Sequence, residues 1–241
     1  MSSPGVPYTP LQPIVAYRAV RELLRDPDDT ALVFRIIRAL TGASFSRLFQ
    51  RTLAHPTGGV VLNEKRDILK VLQDRDALTA LPSGTLGREY ARFIEREKIT
   101  PEGLVDASNE GADRDVFLDD RARVLSDRLR DTHDLWHVVT GYQRDILGEN
   151  ALLAFTYAQS RNHGIGFIVL MGGVHFYRQG YREVLKLGWQ AWRRGRRAES
   201  LVAADWEALL LRPLHEVREL LGVGEPPVYT PQFSAGALAT R

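Results

Sequence analysis

Two of the six histidines in this chain, His133 and His137, stand four residues apart, and Asp134 lies between them. On an α-helix, side chains at this spacing project from adjacent turns of the same face, so both imidazoles can reach one ion. Imidazole nitrogens and carboxylate oxygens are common ligands of divalent metals. Because the chain contains no cysteine, a thiolate ligand is excluded. These residues therefore indicate a metal site built from nitrogen and oxygen ligands.

A further carboxylate, Glu149, follows His137 after twelve residues. On one straight helix this spacing spans about 18 Å along the axis, which is too far for both side chains to reach one ion. Glu149 can join the two histidines only if the chain reverses between them, and two glycines in the interval permit a turn. Asp134 lies about 100° round the helix from His133, so it is either a fourth ligand or a neighbour that fixes an imidazole tautomer. The spacing predicts a metal site between two helices.

Each part of this pattern also has a plainer interpretation. A His/Asp/His group on the polar side of a helix is often only a solvated surface. A glutamate just after a glycine, as Glu149 follows Gly148, is common in the first turn of a helix, where its charge favours the helix dipole. The metal site is favoured over these alternatives only if the two helices pack together.

The element that must position the histidines is a long helix predicted over residues 119–139. Apolar residues such as Val124, Leu125 and Leu135 gather into one sector at helical spacing. Both histidines and Asp134 fall beside or beyond the edge of that sector. We therefore expect the chemistry to lie off the apolar stripe of this helix.

The rest of the chain predicts an all-α protein, because apolar residues recur at helical spacing and no run of alternating strand residues is present. Glycine and proline predict loops at 55–59 and at 101–115. We expect a single helical domain over residues 1–241, with a metal site between two helices. The termini, 1–13 and 226–241, are expected to be extended.

Composition excludes several classes of protein. With 44% hydrophobic and 26% charged residues, a chain of 241 residues can bury a sizeable core. Its formal net charge of +2 leaves no overall electrostatic footprint for nucleic acid. The longest apolar run, 165–174, falls well short of the ~20 residues of a membrane-spanning helix. The N-terminal residues lack the patterns of a signal or transit peptide, so we expect a cytoplasmic, bacterial protein that does not cross a membrane.

The arrangement H-D-x-x-H, eleven residues, then E resembles the signature of the coenzyme Q biosynthesis protein 4 family, whose members act in ubiquinone synthesis in mitochondria and in some bacteria. Three stretches carry the resemblance: 86–93, which begins LGREY; 133–141, which reads HDLWHVVTG; and 205–227, which begins Asp-Trp and ends Pro-Pro. The resemblance covers roughly residues 10–230, and so concerns the whole chain rather than one motif.

This resemblance implies an all-α fold and a divalent ion held by His133, Asp134, His137 and Glu149, which are then also the expected catalytic residues. The ion is usually described as zinc, but two histidines with a carboxylate also describe a non-haem iron site, so iron or another divalent ion stays open. The implied reaction is loss of the C1 carboxylate from a prenylated hydroxybenzoate, with or without hydroxylation at that carbon. The protein is thus expected to be a metal-dependent carbon–carbon lyase, a decarboxylase of the ubiquinone pathway.

A prenylated acid needs a cation for its carboxylate and an apolar channel for its tail. Arg130, Arg144 and Arg161 are the candidates for the substrate carboxylate. Segment 164–177 is apolar on all sides and is expected to be either a buried core helix or the wall of a tail pocket.

Aromatic residues stand beside an arginine-rich segment near the end of this region. Tyr181, Trp189 and Trp192 lead into residues 193–197, four of which are arginine. This pattern is typical of an anchor on anionic lipid, although a basic helix end that favours the helix dipole has the same composition. We expect a peripheral protein on the cytoplasmic face of the bacterial inner membrane.

Three functions stay open from the sequence. The first is the metal-dependent decarboxylase, and the second is a scaffold that binds prenyl lipids and organises other ubiquinone-biosynthesis proteins around a structural ion. The third is a metal phosphohydrolase, which also carries an adjacent His-Asp pair, although its usual upstream histidine and distant aspartate are not evident. The expected partners are a prenylated quinone precursor, the membrane surface and other proteins of the pathway, but not nucleic acid. Formation of a homodimer stays open.

Overall fold

The structure is a computed structural model that describes residues 10–26, 29–111 and 119–233. Regular structure in these ranges is helical, which confirms the predicted all-α fold. The described residues form fifteen α-helices and one 3₁₀ turn: α1 (Pro13–Leu23), α2 (Thr30–Thr41), α3 (Ser44–Ala54), α4 (Pro56–Asn63), α5 (Ile68–Gln73), α6 (Arg75–Ala80), α7 (Leu86–Glu97), α8 (Pro101–Gly111), α9 (Asp120–Asp131), α10 (His133–Thr140), α11 (Ile146–Ser160), α12 (His163–Arg178), α13 (Glu183–Arg197), the 3₁₀ turn Leu201–Ala203, α14 (Trp206–Leu209) and α15 (Leu214–Leu220).

The main hydrophobic core is shared by helices from α3 to α15. Trp206, Tyr90 and Phe155 are among its largest fully buried side chains. Helices α11 and α13 approach closely, because a Cβ on Gly195 of α13 would lie 2.7 Å from the Phe155 carbonyl oxygen of α11. A residue without a side chain at this position therefore allows the two helices to pack directly against each other.

A second apolar cluster joins α1 and α2 to α12. Val20 of α1 and Ile36 of α2 are fully buried in it, together with Ile168 of α12. Gly164 of α12 permits the close crossing, since a Cβ there would lie 2.6 Å from Ile37 Cα. The first two helices thus pack on the main body through α12.

The predicted single helix over 119–139 is wrong, because two helices, α9 and α10, meet at Thr132. The Thr132 hydroxyl donates a hydrogen bond of 2.7 Å to the Arg128 carbonyl oxygen. A threonine hydroxyl bonded to the carbonyl four residues earlier competes with the helical ladder and bends the helix. The bond from Trp136 N to the Thr132 carbonyl oxygen, at 3.1 Å, then begins α10.

The loop predicted at 55–59 is also wrong, since α4 begins at Pro56. Proline suits the first position of a helix, where its missing N–H has no helical partner. His55 caps this helix by accepting a hydrogen bond from Gly58 N at 3.3 Å. A Cβ on Gly58 would lie 2.6 Å from the Thr52 carbonyl oxygen, so the glycine lets α4 fold back onto α3 instead of marking a loop.

The loop predicted at 101–115 is helical where the structure describes it. Helix α8 opens on Pro101 and continues to Gly111, while residues 112–118 lie outside the described residues. Proline suits the start of this helix as it does that of α4, because its missing N–H has no helical partner there. The negative charge of Glu102 in the first turn favours the helix dipole.

The termini frame this body. The N-terminal segment meets it at Gln12, whose N–H donates to the Ala39 carbonyl oxygen at 2.8 Å, and Pro13 already belongs to α1. Residues 226–233 carry no helix, whereas 1–9 and 234–241 lie outside the described residues. Across the described ranges, no helix combines the length and the apolar character that crossing a membrane requires.

Candidate metal centre

The predicted ligands lie on α10 and α11, which are joined by a short turn. Gly141 ends α10 with φ 79°, a left-handed conformation that glycine adopts without strain. Asp145 caps α11, because its Oδ1 accepts a hydrogen bond from Leu147 N at 3.1 Å. The chain therefore reverses between the histidines and Glu149, and Glu149 stands in the first turn of α11.

This reversal brings His133, His137 and Glu149 together. One ligand atom from each lies within 4.8 Å of the others. The His137 Nε2 atom is 3.3 Å from Glu149 Oε1, and the two imidazole rings meet edge to face with centroids 4.8 Å apart. The predicted site between two helices is thus present as a compact group that could hold a metal ion.

His137 is held in one tautomer. Its Nδ1 lies 2.8 Å from the Tyr142 carbonyl oxygen, and since a carbonyl only accepts, Nδ1 carries the proton. His137 is only 1% exposed, and its Nε2 has no hydrogen-bond partner with acceptable geometry. A buried nitrogen left without a partner is costly unless something binds it. The unpaired Nε2 faces Glu149, so the donor set fits a divalent cation.

Asp134 stands beside this group and contacts His133. Its Oδ1 lies 3.3 Å from His133 Nδ1, and its side chain is buried. Burial alone would raise the pKa of Asp134, but the His133 hydrogen bond and the nearby His137 and Arg144 charges lower it. The arrangement resembles the carboxylate–histidine pairs that orient metal ligands. Of the two roles expected for Asp134, the geometry favours fixing the His133 tautomer over direct ligation.

Histidine and glutamate shift each other's protonation. Burial alone would raise the pKa of Glu149, but His137, His133 and Arg144 lower it to about 2. Burial alone would lower the pKa of His137, but the Glu149 and Asp134 carboxylates raise it above its ordinary value. The carboxylate is therefore ionised, and its charge favours a cation at this position.

A cavity of about 1370 Å³ opens onto this group. His133, Asp134, Arg144 and Glu149 lie on its wall. Most of the remaining lining is apolar and comes chiefly from α2, α11 and α12, with Phe34, Ile37, Leu153, Ile168 and Phe176 as examples. Pockets for small ligands usually occupy about 300–1,000 Å³, so this cavity has room for a larger apolar molecule.

Helix α12 is neither fully buried nor simply a core helix. Ile165, Ile168 and Phe176 line the cavity, whereas Leu170 is 62% exposed on the outside. Apolar residues do occupy all sides of segment 164–177, but one side of the helix is exposed at the protein surface instead of being buried. The helix forms a wall of the cavity.

The three arginines predicted to bind a substrate carboxylate lie in different environments. Arg144 lines the cavity with its Nε 3.7 Å from Glu149 Oε1. Arg130 also lines it, but its Nε pairs with Asp131 at 2.7 Å. Arg161 lies at the C-terminal end of α11 with φ 57° and is not among the described residues that line the cavity. Arg144 is therefore the best placed of the three.

Two further arginines hold the end of α10. Arg194 Nη2 donates to the Thr140 carbonyl oxygen at 3.1 Å, and Arg218 Nε donates to the Val139 carbonyl oxygen at 3.0 Å. The Arg194 guanidinium also lies over the Tyr142 ring. The sequence left this arginine-rich segment as either a lipid anchor or a basic helix end. The Arg194 side chain points inward, where it satisfies a carbonyl that the end of α10 leaves without a helical partner.

The segment after α15 is tied to the turn between α10 and α11. The Tyr229 hydroxyl donates to Asp145 Oδ2 at 2.7 Å and accepts from Gln143 N at 2.9 Å. Gln232 N donates to Asp145 Oδ1 at 2.8 Å. Asp145, which is 1% exposed, therefore links α11 to the C-terminal segment. No local pattern in the sequence identifies these contacts, because their partners are more than 80 residues apart.

Comparisons with known proteins identify relatives of this chain. Residues 6–227 match the family described as Coenzyme Q (ubiquinone) biosynthesis protein Coq4. The chain is 31% identical over 188 residues to a protein of Danio rerio named ubiquinone biosynthesis protein COQ4 homolog, mitochondrial, with 76% of this chain and 65% of the relative covered. It is 30% identical over 189 residues to the Aspergillus niger ubiquinone biosynthesis protein coq4, mitochondrial, with 75% and 60% covered. The match therefore spans less than two thirds of each relative.

A solved structure shares the fold. It is that of a candidate ubiquinone biosynthesis protein from Nostoc punctiforme, with a TM-score of 0.67 and 24% sequence identity. The superposition covers 89% of this chain and 100% of the other. The helical architecture is thus one that a bacterial protein also adopts.

Proposed function

The chain belongs to the Coq4 family of coenzyme Q (ubiquinone) biosynthesis proteins, and from this premise we propose that it removes the C1 carboxylate of a prenylated hydroxybenzoate. One observation carries the proposal: the group formed by His133, His137 and Glu149 borders a large, mostly apolar cavity, with His133 and Glu149 on its wall. A substrate with a phenolic acid at one end and a long hydrocarbon tail needs both features in one place.

The residues divide the cavity between head and tail. At the metal centre, Arg144 offers a guanidinium that is 35% exposed and can pair with the substrate carboxylate. Beyond it, side chains such as Ile37, Leu153 and Phe176 provide apolar contact for isoprene units. Binding of the tail buries apolar area and orients the ring toward α10 and α11.

Decarboxylation breaks the bond between C1 and the carboxyl carbon. The bonding electrons stay on the ring while CO₂ leaves, and a proton then takes the vacated position. If hydroxylation accompanies this step, dioxygen supplies the hydroxyl oxygen in place of the proton and takes up four electrons, two from the broken carbon–carbon bond and two from an external two-electron reductant, so that its second atom leaves as water. Removing water from the carboxylate in an apolar cavity favours its conversion into neutral CO₂.

The chain's own side chains prepare the centre for a divalent ion. Tyr142 fixes the proton of His137 on Nδ1, and Asp134 orients His133. A bound ion would supply positive charge that stabilises a developing phenolate or activates an oxygen ligand. Zinc suits two histidines and a carboxylate, and iron or another divalent ion is compatible with the same donors.

Substitution of the ligands tests the reaction. We expect His133→Ala and Glu149→Ala to abolish quinone synthesis by the purified, metal-loaded protein or in a complemented strain, while helical content is unchanged. His215→Ala, at an exposed histidine on α15, is the matched control and should retain activity. Full activity of both ligand variants would overturn the metal mechanism.

The cavity also supports a second function, a prenyl-lipid-binding scaffold that presents intermediates to other ubiquinone-biosynthesis proteins around a structural ion. Its size suits lipid binding whether or not chemistry follows. Turnover of a prenylated hydroxybenzoate by the purified protein and metal, without other proteins, favours the enzyme. Three results favour the scaffold. The purified protein binds lipid without turnover, cells that lack the protein fail to assemble the pathway proteins, and Glu149→Ala has normal activity.

The proposed place of action is a membrane surface, at the cytoplasmic face of a bacterial inner membrane. A prenylated precursor partitions into the bilayer, so a protein that binds it works where it can collect the lipid. Fractionation of cells that express the chain, with a salt or carbonate wash to release peripheral proteins, tests this location.

A further inference from the structure

We propose that the outer surface of α12 and α13, the docking face, binds membranes that contain anionic lipid. The inference rests on the proposed function only for its purpose, since a prenylated substrate is collected from a bilayer. The docking face lies away from the metal ligands, and its binding to lipid can be measured without turnover.

Helix α13 presents one apolar stripe outward. Leu185, Trp189 and Trp192 are 49%, 54% and 36% exposed. At about 100° per residue these positions fall within a sector of about 60°. Two exposed tryptophans on one side of a helix are typical of a segment that lies in the headgroup region, where an aromatic ring is apolar on its face and polar at its N–H.

Helix α12 presents a matching stripe beside it. Leu170 is 62% exposed, Val174 37% and Tyr177 36%, and these three positions have the same angular spread as those on α13. The stripes are adjacent, because a Cβ on Gly173 of α12 would lie 3.2 Å from Leu185 Cδ2 of α13. The docking face is therefore a continuous apolar surface on two helices, larger than the single aromatic segment expected from the sequence.

Cations border this surface and contact its rings. Arg182 lies 4.6 Å from the centroid of the Tyr177 ring. Arg193 and Arg196 lie 4.6 Å and 5.6 Å from the rings of Trp189 and Trp192. Guanidinium groups held over these rings can pair with lipid phosphates while the rings contact acyl chains.

The acidic residue at the start of α13 does not interrupt the pattern. Glu183 points about 160° away from Leu185 around the helix, outside the apolar sector. The docking face thus combines apolar side chains with positive charge, which complements an anionic bilayer. Pairing two copies through this face would instead place the cations of Arg182, Arg193 and Arg196 near their own images, which disfavours self-association.

The position of the docking face relative to the cavity gives it a purpose. Ile165, Ile168 and Phe176 line the cavity from the side of α12 opposite to Leu170 and Val174. One helix thickness, about 10 Å, therefore separates the cavity from the docked bilayer. A lipid substrate has only a short path from the membrane to the apolar part of the cavity.

Vesicle binding by the full chain tests the proposal. The probes are sedimentation with vesicles of phosphatidylcholine alone or with 30% phosphatidylglycerol, and tryptophan emission. Two of the four tryptophans, Trp136 and Trp206, are buried, so a spectral change on binding reports the other two. We expect binding to the anionic vesicles, a blue shift, and quenching by brominated acyl chains.

Two sets of variants locate the contact. Replacing Arg182, Arg193 and Arg196 with glutamine should weaken binding to anionic vesicles by about 100-fold at low salt, from about 5-fold for each cation. The control variant replaces Lys70, Arg123 and Arg212 with glutamine. These side chains lie outside the docking face and are 80%, 55% and 49% exposed, so their loss should change vesicle binding little. Trp189→Ser with Trp192→Ser, which removes the fluorescent reporters and is therefore followed by sedimentation alone, should abolish binding, whereas Leu211→Ser, at a side chain that is 64% exposed, should not.

Several outcomes overturn the proposal. Equal loss of binding in the control triple variant means that overall charge, not this face, binds lipid. Alternatively, the variants of the docking face bind vesicles as the parent does but convert a dimer into a monomer in sedimentation equilibrium. That result assigns the face to a second copy of the chain. His133→Ala separates the two proposals: it should bind vesicles as the parent does, so loss of lipid binding and loss of chemistry are read independently.

Discussion

His137 Nδ1 donates a hydrogen bond of 2.8 Å to the carbonyl oxygen of Tyr142, five residues further along the chain. This bond connects a metal-ligand candidate with the turn that reverses the chain toward Glu149. The Tyr142 ring lies under the Arg194 guanidinium, which also holds the end of α10. The orientation of His137 therefore depends on α13 as well as on its own helix.

Asp134→Asn should weaken metal binding by about 10-fold, within the range for loss of a charged partner of a ligating histidine. Asparagine keeps the shape of the side chain but removes the charge beside His133 Nδ1. Competition with a chromophoric chelator measures the affinity. Asp120→Asn, at a side chain that is 56% exposed, is the control. A loss as large as that of Glu149→Gln would make Asp134 a direct ligand instead.

Gly148→Ala should destabilise the protein by about 2–4 kcal/mol, because a buried clash forces the backbone to move. A Cβ there would lie 2.1 Å from the Gln143 carbonyl oxygen and 2.5 Å from the Tyr229 hydroxyl. Urea denaturation gives the free energy of unfolding. Gly103→Ala, with no atom within 4 Å of its Cβ, should instead stabilise α8 by about 0.5–1 kcal/mol. Equal effects in the two variants would contradict the packing described here.

Arg218→Met should lower the free energy of unfolding by about 2 kcal/mol, because two charge-assisted hydrogen bonds are lost. Its Nε and Nη2 donate to the Val139 and Val138 carbonyl oxygens at 3.0 and 3.1 Å, in the last turn of α10. Metal affinity should fall as well, since α10 carries both histidines. Arg212→Met, at an arginine that is 49% exposed, should stay within about 0.5 kcal/mol of the parent. A normal stability for Arg218→Met would show that water replaces these bonds without cost.

Asp205 should contribute to the pH dependence of stability in acid. Burial alone would raise its pKa, but hydrogen bonds from Arg66 and from Ala208 N lower it below its ordinary value. Because the folded pKa is the lower one, the contribution is fully present above the unfolded pKa of about 3.9 and is lost as pH falls through the folded pKa. Thermal denaturation between pH 6 and pH 2.5 should therefore show a smaller difference between parent and Asp205→Asn at the acid end. Arg66→Met should reduce the pH-dependent contribution of Asp205 to stability. If the stability difference between parent and Asp205→Asn were constant across this pH range, Asp205 would make no such contribution.

The sequence alone determined the all-α class and the main elements of the centre. Helical spacing placed His133 and His137 on one face, and a distance of about 18 Å along a straight helix required the reversal that Gly141 and Asp145 provide. These inferences succeed because they depend on residues close together in the chain, where backbone geometry sets the relation between side chains.

Only the tertiary structure decided what surrounds the centre. Arg194 and Arg218 lie 54 and 79 residues beyond the α10 carbonyls to which they donate, so their roles depend on the packing of α13 and α15. The cavity exists because side chains of α2 and α12 come together with those of α10 and α11. Local patterns failed at Thr132 and at 55–59, where a side-chain hydrogen bond and a close helix crossing override propensity. A sequence records which groups are present, whereas long-range packing decides which of them face one another.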